Sequence, residues 1–127
     1  MAKILLAEDD SSMRQFLAMA LENAGHDVIA CGDGQAALDA LKDAVRDDHN
    51  PHLLLADIVM PGMDGIELSQ KATKLCPQMK IMYITGFAGV TMGARSGDGT
   101  AEKETQILSK PFHLKDLVAQ VNTLLAA

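Results

Sequence analysis

Five short apolar runs, each of strand length, recur along the 127 residues of this chain, and they limit its folds more than any other feature. They are Ile4-Leu5-Leu6-Ala7, Val28-Ile29-Ala30-Cys31, Leu53-Leu54-Leu55-Ala56, Ile81-Met82-Tyr83-Ile84 and Ile107-Leu108. None alternates polar with apolar residues, and continuous apolar strands suit a sheet covered on both faces. Helical patterns lie between them. Met13, Phe16, Leu17, Ala20, Leu21 and Ala24 follow the i, i+3, i+4 spacing, with Ser11 or Ser12 to cap the start and Gly25 the end. Ala37, Leu38, Leu41 and Val45 mark a second helix; Leu68, Ala72 and Leu75 mark a third, stopped by Pro77. Leu114, Leu117, Val118, Val121, Leu124 and Leu125 mark the last.

The stretch from Gly86 to Gln106 breaks this regularity with five glycines. Gly89 and Gly93 would weaken a helix around Ala88 to Ala94 by about 1 kcal/mol each relative to Ala. The expectation is a short or frayed helix followed by a mobile loop. The order is thus β-α-β-α-β-α-β-(weak α)-β-α. Strict alternation predicts right-handed crossovers and an α/β fold: a five-stranded parallel sheet in the flavodoxin-like order 2-1-3-4-5, with helices on both faces. Residues 1–127 are expected to form one domain, with no output domain after the last helix.

Charge and composition exclude several functions. The formal net charge is −6, from 11 basic and 17 acidic residues, so direct nucleic-acid binding gains nothing from counterion release. Aromatics make up 3% of the chain and Trp is absent, which disfavours a base-stacking platform. No run of 18 apolar residues suggests a membrane span, and Met1-Ala2-Lys3 leads into a strand rather than a signal peptide; a cytoplasmic location is expected. Cys31 and Cys76 form no CxxC and read as reduced core thiols. His26, His49, His52 and His113 share no metal-ligand spacing and read as surface or cap residues.

In an open parallel sheet the active crevice lies beyond the carboxyl ends of the strands. Strand one ends in Glu8-Asp9-Asp10, strand three in Asp57, strand four in Thr85-Gly86 and strand five in Ser109-Lys110-Pro111. Clustered carboxylates repel one another, and a hard cation is the usual remedy; two carboxylates, a backbone carbonyl and waters suit octahedral Mg²⁺. Lys110 can hold a phosphoryl oxygen by charge and Thr85 another by its hydroxyl, while Asp57 is placed as a carboxylate nucleophile. The implied reaction is phosphoryl transfer to an aspartate. An aspartate-nucleophile phosphatase would want a second acid two residues on, where this chain has Val59. Gly32-Asp33-Gly34-Gln35-Ala36-Ala37 fits GxGxxA, but not on the first βα turn, and Glu8 and Asp9 would repel a pyrophosphate.

These residues resemble the receiver domain of two-component response regulators over the whole chain. ILLAEDD resembles its first strand and acidic pair, DIVMPGMDG its phosphoacceptor strand and turn, ITG its switch hydroxyl and small residue, and SKPF its lysine and proline. The resemblance implies that Asp57 is phosphorylated, that Asp9 and Asp57 ligate Mg²⁺ directly, that Glu8 acts through a coordinated water and that Val59 supplies its backbone carbonyl. Thr85 and Lys110 would hold the phosphoryl oxygens. It also implies a histidine kinase or histidine-phosphotransfer protein as donor, and a monomer that switches contacts with an effector protein. The ending Leu124-Leu125-Ala126-Ala127 looks like a tail read by ClpX, the candidate effector. A phosphate shuttle or sink with no effector uses the same site residues and is the alternative.

Two departures bear on output. The aromatic residue usual three positions before the lysine is Ile107 here, leaving Phe87 or Tyr83 as substitutes, with Tyr83 read as core. The second departure is the Gly-rich stretch. The expected switch and partner surface involves Phe87, Ile107 and Pro111, with the first helix, the weak helical stretch, strand five and the last helix around them.

Overall fold

The computed structural model describes residues 2–85, 105–109 and 113–126. The elements run β1 (Lys3–Ala7), α1 (Ser11–Asn23), β2 (Asp27–Cys31), α2 (Gly34–Arg46), β3 (Leu53–Asp57), α3 (Gly65–Leu75), β4 (Lys80–Thr85), β5 (Thr105–Ser109) and a C-terminal helix (Leu114–Ala126). All strand pairs are parallel, and the sheet order is β2-β1-β3-β4-β5. The architecture is the flavodoxin-like α/β class. Most of the Gly-rich stretch, 86–104, lies outside the described residues, while Thr105 and Gln106 open β5.

Alternation along the inner strands divides the apolar residues between two cores. Leu5, Leu54, Ile81 and Tyr83 pack with Leu41 of α2 and Leu68 of α3 on one face. Ile4, Leu6, Leu55 and Ile84 pack with Leu17 and Leu21 of α1 and with Leu117 and Val121 of the C-terminal helix on the other. β1, β3 and β4 are therefore buried nearly throughout, as continuous apolar strands require. β2 departs from that expectation. Asp27, Ile29 and Ala30 are exposed, because β2 is an edge strand bonded to β1 alone.

The first helix departs as well. Leu17 and Leu21 are fully buried, but Phe16 stands 56% exposed. The stripe that reaches the sheet is centred on Leu17, and Phe16 sits one residue, about 100°, around the helix from it. The start of α1 also corrects an expectation: the cap is Asp10 rather than Ser11 or Ser12. Asp10 is the last extended residue, and its Oδ1 accepts the Met13 N–H at 3.0 Å. Asp33 and Asp64 cap α2 and α3 in the same way, accepting from Ala36 at 2.7 Å and Glu67 at 2.8 Å. Each such cap contributes about 1 kcal/mol. Gly25 follows α1 with φ +99°, the left-handed geometry that ends a helix.

Candidate phosphoacceptor site

The carboxyl edge of the sheet carries two kinds of acid. Asp10, Asp33 and Asp64 are spent on helix caps. Glu8, Asp9 and Asp57 instead converge, each offering a carboxylate oxygen within 4.8 Å of the others'. Sheet register brings this about: Ala7 is paired with Ala56, so the residues that follow, Glu8 and Asp57, leave adjacent strands side by side.

Two of the three convergent acids are withdrawn from solvent. Glu8 is completely buried and Asp57 is 5% exposed, while Asp9 faces solvent. Two carboxylates taken out of water at such separation require compensation. Backbone donors supply part of it. Asp57 Oδ1 accepts the Val59 N–H at 3.1 Å, and Glu8 Oε2 accepts the Asp10 N–H at 3.1 Å. A hard divalent cation would supply more, and the donor set fits one: all three groups present oxygen, two from rigid strand ends and one from an exposed side chain. That is the kind of partial protein shell with which Mg²⁺ is bound, the remaining positions going to water.

The turn after Asp57 is folded back tightly onto it. Ile58 donates to the Ile84 carbonyl and Gly65 to the Ile58 carbonyl, both at 2.9 Å. A Cβ on Gly65 would stand 2.3 Å from the Asp57 carbonyl oxygen, so the first residue of α3 has to lack one. Gly34, opening α2, is similarly pressed by the Met63 carbonyl at 2.7 Å. Gly62 takes φ +74°, in keeping with the turn chemistry of Pro61-Gly62. Met60 is buried in the core and Met63 packs against it, while Val59 is 51% exposed at the rim.

Thr85 ends β4, 2% exposed, one residue beyond the Ile84 that pairs with Asp57. Tyr83 lies in the core, with its hydroxyl 2.5 Å from Ser69 Oγ of α3. Ile107 pairs with Tyr83 across β4 and β5. Lys110, Phe87 and Pro111 lie outside the described residues. Both cysteines are free; Cys76 is buried, and Cys31 is only partly so. Burial pushes the Cys31 thiol above its ordinary range, Asp33 adds to this, and Arg14 opposes it. Among the described residues no helix is long and apolar enough to cross a membrane.

Residues 4–122 match the response regulator receiver domain. The chain belongs to that family. It is 48% identical over 127 residues to the response regulator receiver protein CpdR of Brucella abortus, covering 100% of this chain and 99% of that one. It is 32% identical over 125 residues to the DNA-binding response regulator MtrA of Mycobacterium tuberculosis, covering 97% of this chain but 50% of the relative. The solved structure of Vibrio cholerae chemotaxis protein CheY4 superposes with a TM-score of 0.82 at 26% identity, covering 98% of each chain. A receiver domain is a signalling domain of two-component systems, and its family takes phosphoryl groups from histidine kinases, with Mg²⁺ at an acidic site.

Arg14 is not singled out by the sequence, and Gly65 is read there only as turn chemistry with Asp64. Gly65 has a local signal, a glycine directly after a capping Asp. Arg14 has one too: it is a cation one turn from a helix N-terminus, where the macrodipole disfavours positive charge.

Proposed function

We propose that this chain is a phosphorylation-controlled switch that accepts a phosphoryl group on Asp57. The convergence of Glu8, Asp9 and Asp57 at the ends of β1 and β3 carries this reading. In the transfer, a carboxylate oxygen of Asp57 attacks the phosphorus of a phosphohistidine donor. The new O–P bond forms as the P–N bond breaks, and the electron pair stays on the imidazole nitrogen, which takes a proton from water. Mg²⁺ bound by Asp9 and Asp57, by the Val59 carbonyl and through water by Glu8 would neutralise the oxygens of the incoming group. Thr85 donates its hydroxyl to one phosphoryl oxygen, and Lys110 places its ammonium against another. Little else is needed, because such transfers depend on positioning and charge. Loss of the phosphoryl group to water resets the switch without turnover of an external substrate.

The output in this proposal is a protein contact. The likeness to CpdR over the whole chain, with ILLAEDD, DIVMPGMDGIEL, KIMYITGFA and LSKPFHLKDLV read together as its motifs, supports input from a phosphorelay and control of substrate delivery to the ClpXP protease. Residues 1–127 act as one receiver unit in this scheme, and phosphorylation biases an equilibrium between two states of its partner surface.

The deciding experiment is labelling with radioactive acetyl phosphate and Mg²⁺. The wild type is expected to incorporate label and Asp57→Asn to incorporate none; label retained by the variant would overturn the assignment. Capture of partners on wild type and on Asp57→Asn then identifies the effector and the sign of the switch.

A further inference from the structure

The acid pair at the end of β1 is braced from a direction that the metal-binding chemistry does not explain. Arg14 is one turn into α1, and its backbone N–H donates to the Asp10 carbonyl at 2.8 Å. Its guanidinium turns back toward the sheet, and Nη1 donates to the Glu8 carbonyl at 2.9 Å. The other groups of Glu8 are tied as well: its N–H donates to the Cys31 carbonyl at 3.0 Å, and its Oε2 accepts from Asp10. Glu8 is thus fixed through its amide, its carbonyl and its side chain. The carbonyl contact is made by a charged side chain, and hydrogen bonds with an ionised donor are the stronger kind.

The path of Arg14 depends on Gly32 at the end of β2. A Cβ there would stand 3.2 Å from Arg14 Nη1 and 3.7 Å from its Cζ. The guanidinium therefore lies in the space that a glycine leaves between the β1–α1 and β2–α2 turns. A cation so near a helix N-terminus works against the macrodipole, and its contact with the Glu8 carbonyl offsets that cost.

We propose that Arg14 is a positioning residue for the acidic pair: through the Glu8 carbonyl it sets the peptide that joins Glu8 to Asp9, and so the direction in which Asp9 reaches toward Asp57. Gly32 is the second half of the device, because it admits the guanidinium. Lysine replaces arginine here only in part, since a flexible ammonium lacks the planar group that lies against Gly32 with an N–H on the Glu8 carbonyl. The inference rests on the Mg²⁺ site proposed above.

The test is Mg²⁺ affinity by titration calorimetry, with folding followed separately by urea unfolding without metal. Arg14→Ala is expected to bind Mg²⁺ about tenfold more weakly than wild type, a factor equivalent to about 1.4 kcal/mol. Arg14→Lys should recover only part of that loss. Gly32→Ala should weaken binding severalfold in the wild type and have no effect in the Arg14→Ala background, a non-additivity that general destabilisation does not produce. Wild-type affinity in a folded Arg14→Ala protein, or additive effects of the two substitutions, would overturn the positioning role and leave the Mg²⁺ site standing. A wild type that binds no Mg²⁺ would overturn the site itself and this inference with it.

Discussion

The two ends of the sheet meet the same difficulty with opposite chemistry. At both, strands stop and leave backbone and side-chain polar groups to be satisfied. At the carboxyl end, three carboxylates converge, two of them buried. At the amino end, imidazole rings are used. The Ala2 N–H donates to His26 Nδ1 at 3.2 Å and the Lys3 N–H to His52 Nδ1 at 3.0 Å. His26 then carries its ring proton on Nε2, 2.9 Å from Asn122 Oδ1 on the C-terminal helix. Lys80 Nζ donates to the Leu124 carbonyl at 2.9 Å, satisfying one of the last acceptors of that helix. A hollow of about 660 Å³ lies among these groups, lined in part by His26, His52, Cys76 and Lys80. It is far larger than a cation needs, and it lies at the opposite end of the sheet from the three acids. The contrast teaches that clustered, buried carboxylates, rather than cavity size, distinguish the end of the sheet where we propose phosphoryl transfer, while the amino end closes its polar groups with hydrogen bonds inside the chain.

Three perturbations break or sharpen this contrast. The largest effect is expected from Gly65→Ala, whose new Cβ collides with the Asp57 backbone. Strand and helix have to move apart, at a cost of about 3 kcal/mol read as a lower urea midpoint. Acetyl phosphate labelling should fall as well; unchanged stability would mean that the β3–α3 turn is not tightly seated on Asp57. Next is Mg²⁺ itself. At a hundred times its dissociation constant it should stabilise the protein by about 2.7 kcal/mol in thermal unfolding, and Asp57→Asn should reduce that gain. A melting temperature indifferent to Mg²⁺ would remove the distinction between the two ends. The smallest effect belongs to the amino end. His26→Ala forfeits contacts to Ala2, just before β1, and to the C-terminal helix, partly exposed to water, and should cost about 1 kcal/mol. The Mg²⁺ gain should survive in full, and a variant that lost it would show the two ends to be coupled.

Much of this was legible before any coordinates. Apolar runs and helical spacing placed the elements, and the strand-end rule set Glu8, Asp9, Asp57, Thr85 and Lys110 at one edge; of these, Glu8, Asp9 and Asp57 converge, and Lys110 lies outside the described residues. The errors have a common cause. β2 has the same apolar character as β1, yet only position in the sheet makes it an edge. Phe16 satisfies the helical spacing, yet exposure depends on which residue the docked helix turns to the sheet. Ser11 and Asp10 are both good caps, and which one serves is set by where the extended chain ends.

What the linear order of residues decided was periodicity and chemical type: which segments are strands or helices, and which groups can carry charge or a phosphoryl group. Those properties are local, set by side chains within a few positions of one another. What needed the folded chain was the sorting of the acids. Asp10, Asp33 and Asp64 went to caps and Glu8, Asp9 and Asp57 to one cluster, because the register between β1 and β3 joins residues about fifty positions apart. The brace of Arg14 over Gly32 is of the same kind: neither residue implies the other until two turns on neighbouring strands are brought into contact.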